Sequence, residues 1–132
     1  MRRILPIAAL LAAALPPAGA AALTSFHSPS GNIRCAILKS GVRCDIQQKT
    51  FISPQKPSSC EFDWGQSVGL GRKGHAHFLC VSDATDPGRE LAYGDAIARH
   101  GFRCKSLSSG VRCVNKRSGH GFKLARERYR LF

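Results

Sequence analysis

Acidic residues are scarce in this chain: eight Asp and Glu stand against twenty Lys and Arg in 132 residues, a formal net charge of +12. No C-x-x-C occurs among the six cysteines, although zinc sites ordinarily bring two cysteines two to four residues apart. No apolar run reaches the ~20 residues that a membrane span needs. There is no G-x-S-x-G and no H-E-x-x-H, and the glycine-rich stretch Gly69 to Gly74 lacks the strand–loop–helix setting of a phosphate loop. The sequence therefore names no reaction and implies no cofactor. Aromatic residues are few, seven Phe, two Tyr and one Trp. They do not interleave with the basic residues as the stacking platforms of single-strand nucleic-acid binders do, so nucleic acid is a partner on charge alone and not a favoured one.

What is present begins at the N-terminus. Arg2 and Arg3 precede an apolar run from Ile4 to Leu15, interrupted by Pro6 and broken by Pro16 and Pro17. Ala18-Gly19-Ala20 and Ala20-Ala21-Ala22 both fit a small-x-small cleavage site. This is the pattern of a secretory signal peptide over residues 1–22, cleaved near Ala20 or Ala22, and it is set aside from fold reasoning. The expected route is general secretion, to the periplasm or the medium, with no transmembrane anchor. Residues 23–132 then form one domain, expected to be a monomer, with a net charge of +10 once Arg2 and Arg3 are gone. From Arg99 to Phe132 ten basic residues accompany one acid, Glu127, which points to attraction for anionic surfaces or polymers.

An even number of cysteines on an exported chain reads as disulfides. The stretches Ile33–Cys44 (IRCAILKSGVRC) and Phe102–Cys113 (FRCKSLSSGVRC) match at eight of twelve positions. Each has a β-prone start, a Ser-Gly turn and a second β-prone run, the signature of a hairpin; the two hairpins are placed at 33–46 and 102–115. With Lys39-Ser40 as a two-residue loop, Cys35 falls opposite Cys44 in a non-hydrogen-bonded pair, where Cα atoms come closest and a bridge fits. A three-residue loop with Gly41 as a bulge would set the cysteines diagonal, and Ser108-Ser109-Gly110 offers the same choice. The preferred pairing is Cys35–Cys44, Cys104–Cys113 and, by remainder, Cys60–Cys80. The fold class expected is mostly β: a small domain of antiparallel hairpins stapled by three disulfides, with at most short helical turns. Arg34, Arg43, Arg103 and Arg112 each adjoin a cysteine and so face away from it, stacking as two arginines per hairpin.

Between the hairpins, Cys60, Phe62 and Trp64 alternate with Glu61 and Asp63, and Ala76, Phe78 and Cys80 alternate with His75, His77 and Leu79. Both read as strands, joined by the Cys60–Cys80 bridge and connected by Gly69–Gly74, with Trp64 and Phe78 packed beside the bridge. Glu61 and Asp63 are a weak acid–base pair for glycoside hydrolysis. His75, His77 and His120 are weak metal candidates, and no metal site is assigned. Asp83 and Asp86 read as turn residues, and Asp95–His100 as one helical turn. Phe122 and Leu124 read as a strand. Arg126, Arg128 and Arg130 share a face if that strand continues, and with Lys116 and Arg117 they form the most basic region.

The segments SPSGNIRC, GVRCDI, CEFDWGQ, LAYG, GFRC and SGHGFKLARERYRLF together resemble a family of small exported bacterial proteins catalogued as a domain of unknown function. The resemblance runs from about Phe26 to Phe132. It implies secretion, paired cysteines and a compact, mostly β domain, and it brings no active site. The function expected is a non-catalytic binding module whose basic surface, Arg34, Arg43, Arg103, Arg112, Lys116, Arg117, Arg126, Arg128 and Arg130, takes an anionic partner such as lipopolysaccharide, an acidic glycan or an acidic protein. The alternatives are an envelope structural or inhibitor-type domain and, last, a small hydrolase using His120, Glu61 or Asp63.

Overall fold

Each repeated stretch folds as the hairpin that its alternation predicts. In a computed structural model, which describes residues 24–132 together with Ile4 and Ala12, strands β2 (Ile33–Ile37) and β3 (Gly41–Ile46) pair antiparallel with Cys35 directly opposite Cys44. The segment read as a signal peptide lies, apart from those two positions, outside the described residues. Strands β8 (Phe102–Leu107) and β9 (Gly110–Asn115) repeat the arrangement with Cys104 opposite Cys113. Leu38 and Gly41 exchange backbone hydrogen bonds of 2.8 and 3.3 Å, and Leu107 pairs with Gly110, so both loops have two residues. The cysteines therefore sit in non-hydrogen-bonded pairs, with Cα atoms 4.1 and 4.0 Å apart, and form disulfides. The third disulfide is Cys60–Cys80, with Cα atoms 5.8 Å apart.

The remaining strands extend each hairpin into a meander. They are β1 (Thr24–His27), β4 (Ser67–Gly71), β5 (His77–Phe78), β6 (Arg89–Glu90), β7 (Ala96–Arg99), β10 (Gly121–Leu124) and β11 (Tyr129–Leu131). The first sheet has the order β5-β4-β3-β2-β1-β6 and the second the order β11-β10-β9-β8-β7. Leaving β6 aside, the orders are the same: five antiparallel strands in sequence, with the disulfide hairpin second and third. The link from β3 to β4 spans residues 47–66, whereas its counterpart from β9 to β10 spans only 116–120. The turn glycines of the repeat do matching work. A Cβ on Gly41 would collide with the Leu70 carbonyl of β4, and one on Gly110 with the Leu124 carbonyl of β10.

The two sheets pack face to face as a sandwich. Phe26, Ile33, Ile37, Val42, Ile46, Val68 and Leu70 of the first face Ile97, Phe102, Val111, Phe122 and Leu124 of the second in one core. At its centre the two hairpin disulfides touch, Cys44 Sγ lying 3.9 Å from Cys113 Sγ, and all four cysteines are fully buried. These two cysteines occupy the same position in the two hairpins, so the sheets meet at equivalent positions. At one end of the core Phe51, Phe78 and Tyr129 pack edge to face, with ring centroids 5.1 Å (Phe51–Tyr129) and 4.9 Å (Phe78–Tyr129) apart, and Trp64 leans on Phe78 at 6.0 Å.

Three expectations are corrected. Residues 60–66 are irregular and no strand, because the disulfide and the bond from Trp64 Nε1 to the Pro54 carbonyl (2.7 Å) anchor that stretch where no neighbouring strand can pair with it; Phe62 is exposed. The strand lies instead in the stretch read as a connection: Gly69 and Gly71 belong to β4. Gly69 has no side chain because the Leu79 side chain occupies that space. Asp95–His100 is no helical turn. It contributes β7, joined to β8 through His100 and Gly101, both with positive φ (54° and 85°), the pattern of a type I′ hairpin loop. The β5 ladder is short but keeps its predicted alternation, Ala76 and Phe78 buried and His75 and His77 exposed.

Candidate anion-binding face

Alternation along the second sheet points Phe102, Cys104, Val111, Cys113, Phe122 and Leu124 inward, and Arg103, Lys105, Arg112, Lys123 and Arg130 outward. Register then aligns four of the outward residues. Lys105 lies opposite Arg112, Arg112 opposite Lys123, and Lys123 opposite Arg130. With strands spaced by about 4.8 Å, the row crosses about 14 Å of sheet. Arg103 is two residues from Lys105 on the same face. Like charges set opposite one another destabilise a sheet. No acid relieves them: among the described residues the ion pairs are both made by Arg43. Phe132 lies in the middle of the row, its ring 4.9 Å from the Arg112 guanidinium and 5.3 Å from that of Arg130. Gly121 beneath it leaves the room, since a Cβ there would meet the ring at 2.9 Å. A groove of about 520 Å³ runs along the β10–β11 side, lined by Ser109, Lys123, Glu127, Arg128, Tyr129 and Arg130.

The other predicted cations are dispersed. The two arginines of each hairpin do not stack. Each precedes its cysteine, and in an antiparallel pair the preceding residues lie on opposite sides of the disulfide rung. Arg34 is thus opposite Asp45 and Arg43 opposite Ala36, while Arg103 is opposite Val114 and Arg112 opposite Lys105. Arg126 and Arg128 lie in the turn between β10 and β11, not on a continued strand, because the chain reverses where Ala125 N–H donates to the Arg128 carbonyl (3.0 Å). Arg126 instead borders a polar cleft of about 320 Å³ that also contains Asn32, Gln48, Tyr93 and Glu127. Lys116 and Arg117 are exposed in the β9–β10 turn. Lys105 and Lys123 complete the row and are missing from the set that the sequence alone picks out. The signal for them is strand alternation: Lys105 lies two residues from Arg103, and Lys123 stands between the buried Phe122 and Leu124.

Arg43 is occupied. Its Nε and Nη2 donate to Asp45 (2.9 and 3.2 Å), Nη1 to Asp83 Oδ1 (2.9 Å) and Nη2 also to the Asp83 carbonyl (2.6 Å). Burial pulls its pKa down, but the bonds to Asp45 and Asp83 outweigh that and leave it raised. Burial also pushes the Asp45 carboxyl up, yet bonds from Arg43, Ser67 Oγ and the Thr85 N–H hold it below the ordinary carboxylate value.

The metal and acid–base candidates divide similarly. His75 and His120 come together across the two sheets, ring centroids 4.2 Å apart, and His77 Nδ1 faces the His75 carbonyl at 3.3 Å. The turns holding His75 and His120 also carry Arg72, Lys73, Lys116 and Arg117, a setting that repels a bare cation. Among the described residues the one set of three or more metal-type ligands within coordinating distance is Cys35, Cys44 and Cys113, and these sulfurs are spent in disulfides. Glu61 and Asp63 are exposed in the irregular stretch before β4.

Geometry thus defines a disulfide-stapled β-sandwich with one open, cation-lined sheet face. The chain belongs to a family described as Family of unknown function (DUF6636), whose model matches residues 6–132. No curated protein and no solved structure matches it. Among the described residues no helix is long and apolar enough to cross a membrane.

Proposed function

We propose that this is an exported, non-catalytic binding module whose second sheet takes an anionic partner on its outer face. The observation that carries the reading is the unpaired row Lys105–Arg112–Lys123–Arg130. A sheet bears the cost of four like charges in register where a ligand supplies the counter-charge. An anionic envelope component, an acidic glycan or an acidic protein fits this face. Nucleic acid fits it less well, because Phe132 is the one aromatic ring set among the row and cannot stack successive bases. The N-terminal pattern and the three disulfides support a periplasmic or extracellular location. The polar cleft beside Tyr93 and the exposed Glu61 and Asp63 support no reaction.

The test is binding of the oxidised protein to lipopolysaccharide, a sulfated glycan, an acidic peptide and duplex DNA at about 50 and about 200 mM salt. With four or five cations engaged on a polymer, log K should fall against log salt with a slope of about −3 to −4. Lys123→Glu should weaken binding and flatten that slope, while Lys116→Glu, outside the row, should do less. Absence of binding to every probe at the lower salt would make the charge a solubility feature and end this reading.

A further inference from the structure

The two sheets carry corresponding arginines in opposite states, and the difference identifies a kind of ligand. Register makes Arg43 and Arg112 equivalent: each directly precedes the second cysteine of its hairpin and points outward. On the first sheet a chain segment covers this position. The strand β5 is at one edge of that sheet and β6 beyond the other, so residues 79–88 must cross it. They cross over the outer face, where the Asp83 carboxylate and carbonyl both receive Arg43 and the Thr85 N–H donates to Asp45. The crossing ends where β6 pairs with β1 in parallel. On the second sheet no described segment covers Arg112. The position of Asp45 is taken by Val114, so the guanidinium lacks both of the acids its counterpart has.

Resting on the reading of the basic face above, we propose that the outer face of the second sheet binds an extended acidic peptide segment of another protein, held as residues 79–88 are held on the first sheet. Arg112 takes one aspartate or glutamate of that segment by both its carboxylate and its backbone carbonyl, as Arg43 takes Asp83. Lys105, Lys123 and Arg130 meet further acids on either side of it. The double grip distinguishes a peptide from a sulfated glycan or a phosphodiester: each acidic residue of a peptide offers a carboxylate and an amide carbonyl together, and the repeating units of those polymers do not. A guanidinium can serve both with separate N–H groups, whereas an ammonium is a point charge that holds one geometry poorly.

The distinguishing substitution is therefore Arg112→Lys, which keeps the charge and loses the fork. The probe is a fluorescein-labelled ten-residue peptide of alternating Asp and Val, with an Asn–Val peptide as the uncharged control and heparin as a polyanion without peptide bonds. Binding is read by fluorescence polarisation, with heparin as competitor and in direct titration. The expected result is binding of the Asp peptide and not the Asn peptide, with Arg112→Lys weakening the peptide about tenfold through loss of one charge-assisted hydrogen bond and leaving heparin affinity almost unchanged. If the Asp peptide binds equally well to Arg112→Lys, or if heparin alone binds, the peptide proposal is overturned while the basic face stands as a polyanion site. If neither probe binds, the peptide proposal is overturned, and the basic-face reading is decided separately by lipopolysaccharide and duplex DNA. Arg112 is exposed, so the variant is expected to fold; an unchanged thermal midpoint confirms that lost binding is local.

Discussion

Removing the hairpin disulfides in turn tests the centre of this fold. Cys35–Cys44 closes a sequence separation of 9, as does Cys104–Cys113. In the chain-entropy treatment each loop closure stabilises by about 2.6 kcal/mol. Replacing both cysteines of one bridge by alanine also deletes two fully buried sulfurs, each comparable to a buried methylene at about 0.8 kcal/mol, so one bridge should cost about 4 kcal/mol. The entropy contributions come from loops that neither nest nor overlap, so they add. The packing contributions should not, because Cys44 Sγ and Cys113 Sγ touch at 3.9 Å. The first deletion already forfeits that contact, and the second merges two voids that share a wall. The quadruple variant should therefore fall short of the sum of the two doubles by about 0.5–1 kcal/mol. Urea unfolding followed by the fluorescence of the single tryptophan, Trp64, measures it, in a constant concentration of a stabilising osmolyte so that every variant stays folded. Cys60–Cys80 is the control. It lies outside the central contact, its sequence separation of 20 gives about 3.3 kcal/mol from entropy, and its deletion should add to either hairpin deletion. A quadruple cost equal to the sum within about 0.3 kcal/mol would refute the claim that the two bridges form one packed unit.

Two further changes probe the parts that differ between the sheets. The Asp45 carboxyl is held below its ordinary value, so its contribution to stability is complete above the unfolded value of about 3.9 and is lost as pH falls through the lower folded value; Asp45→Asn should lower stability at neutral pH and flatten the acid limb of a stability-against-pH curve, with faster exchange of the Thr85 amide, and an unchanged acid limb would show that the ion pair with Arg43 does not anchor residues 79–88. His100 is the one non-glycine with positive φ among the described residues, and Asn suits the first position of a type I′ loop better, so His100→Asn should stabilise by about 0.5–1 kcal/mol in urea unfolding; a lower midpoint would mean that the imidazole makes a compensating contact.

The fold is legible in the sequence where one residue type settles one geometry. Cysteines separated by eight residues around a Ser-Gly turn point to the hairpin, its pairing and its inward direction, while the choice between a two- and a three-residue loop is made by the structure; a slip of one residue would turn every side chain of the hairpin to the other face. Alternation misleads where it stands without a partner strand. Residues 60–64 alternate as a strand does, yet nothing pairs with them. Conversely β4 holds Gly69 and Gly71 and reads as a loop, because the space a side chain at Gly69 would fill belongs to Leu79. The loop glycines Gly41 and Gly110 read as turn residues; their larger role is to admit the carbonyl of a third strand, Leu70 for one and Leu124 for the other, well beyond the hairpin in sequence. The candidate face is half visible for the same reason. Arg112 and Arg130 stand out by their own surroundings, but a row across four strands depends on register between segments far apart in sequence, and only the pairing adds Lys105 and Lys123.

The approximate symmetry carries a functional argument because it is broken at one place. Both sheets share a strand order, a central disulfide, a turn glycine and an outward arginine, so a purely structural outward arginine should have the same surroundings twice. Arg43 has Asp45, Asp83 and a covering segment, while Arg112 has a row of further cations and Phe132, with Val114 where the first sheet has Asp45. The long connections that make the halves unequal, residues 47–66 and 79–88, both belong to the first sheet. They spend their length on closing it: Cys60 and Trp64 fasten one to Cys80 and Phe78, and Asp83 and Gly88 press the other onto β3 and β1. The second sheet has short turns and no cover among the described residues. A fold that neutralises one of two equivalent cations and sets three others in register with the second leaves a row of four adjoining unpaired charges across one sheet, and that row is where a ligand has most to supply.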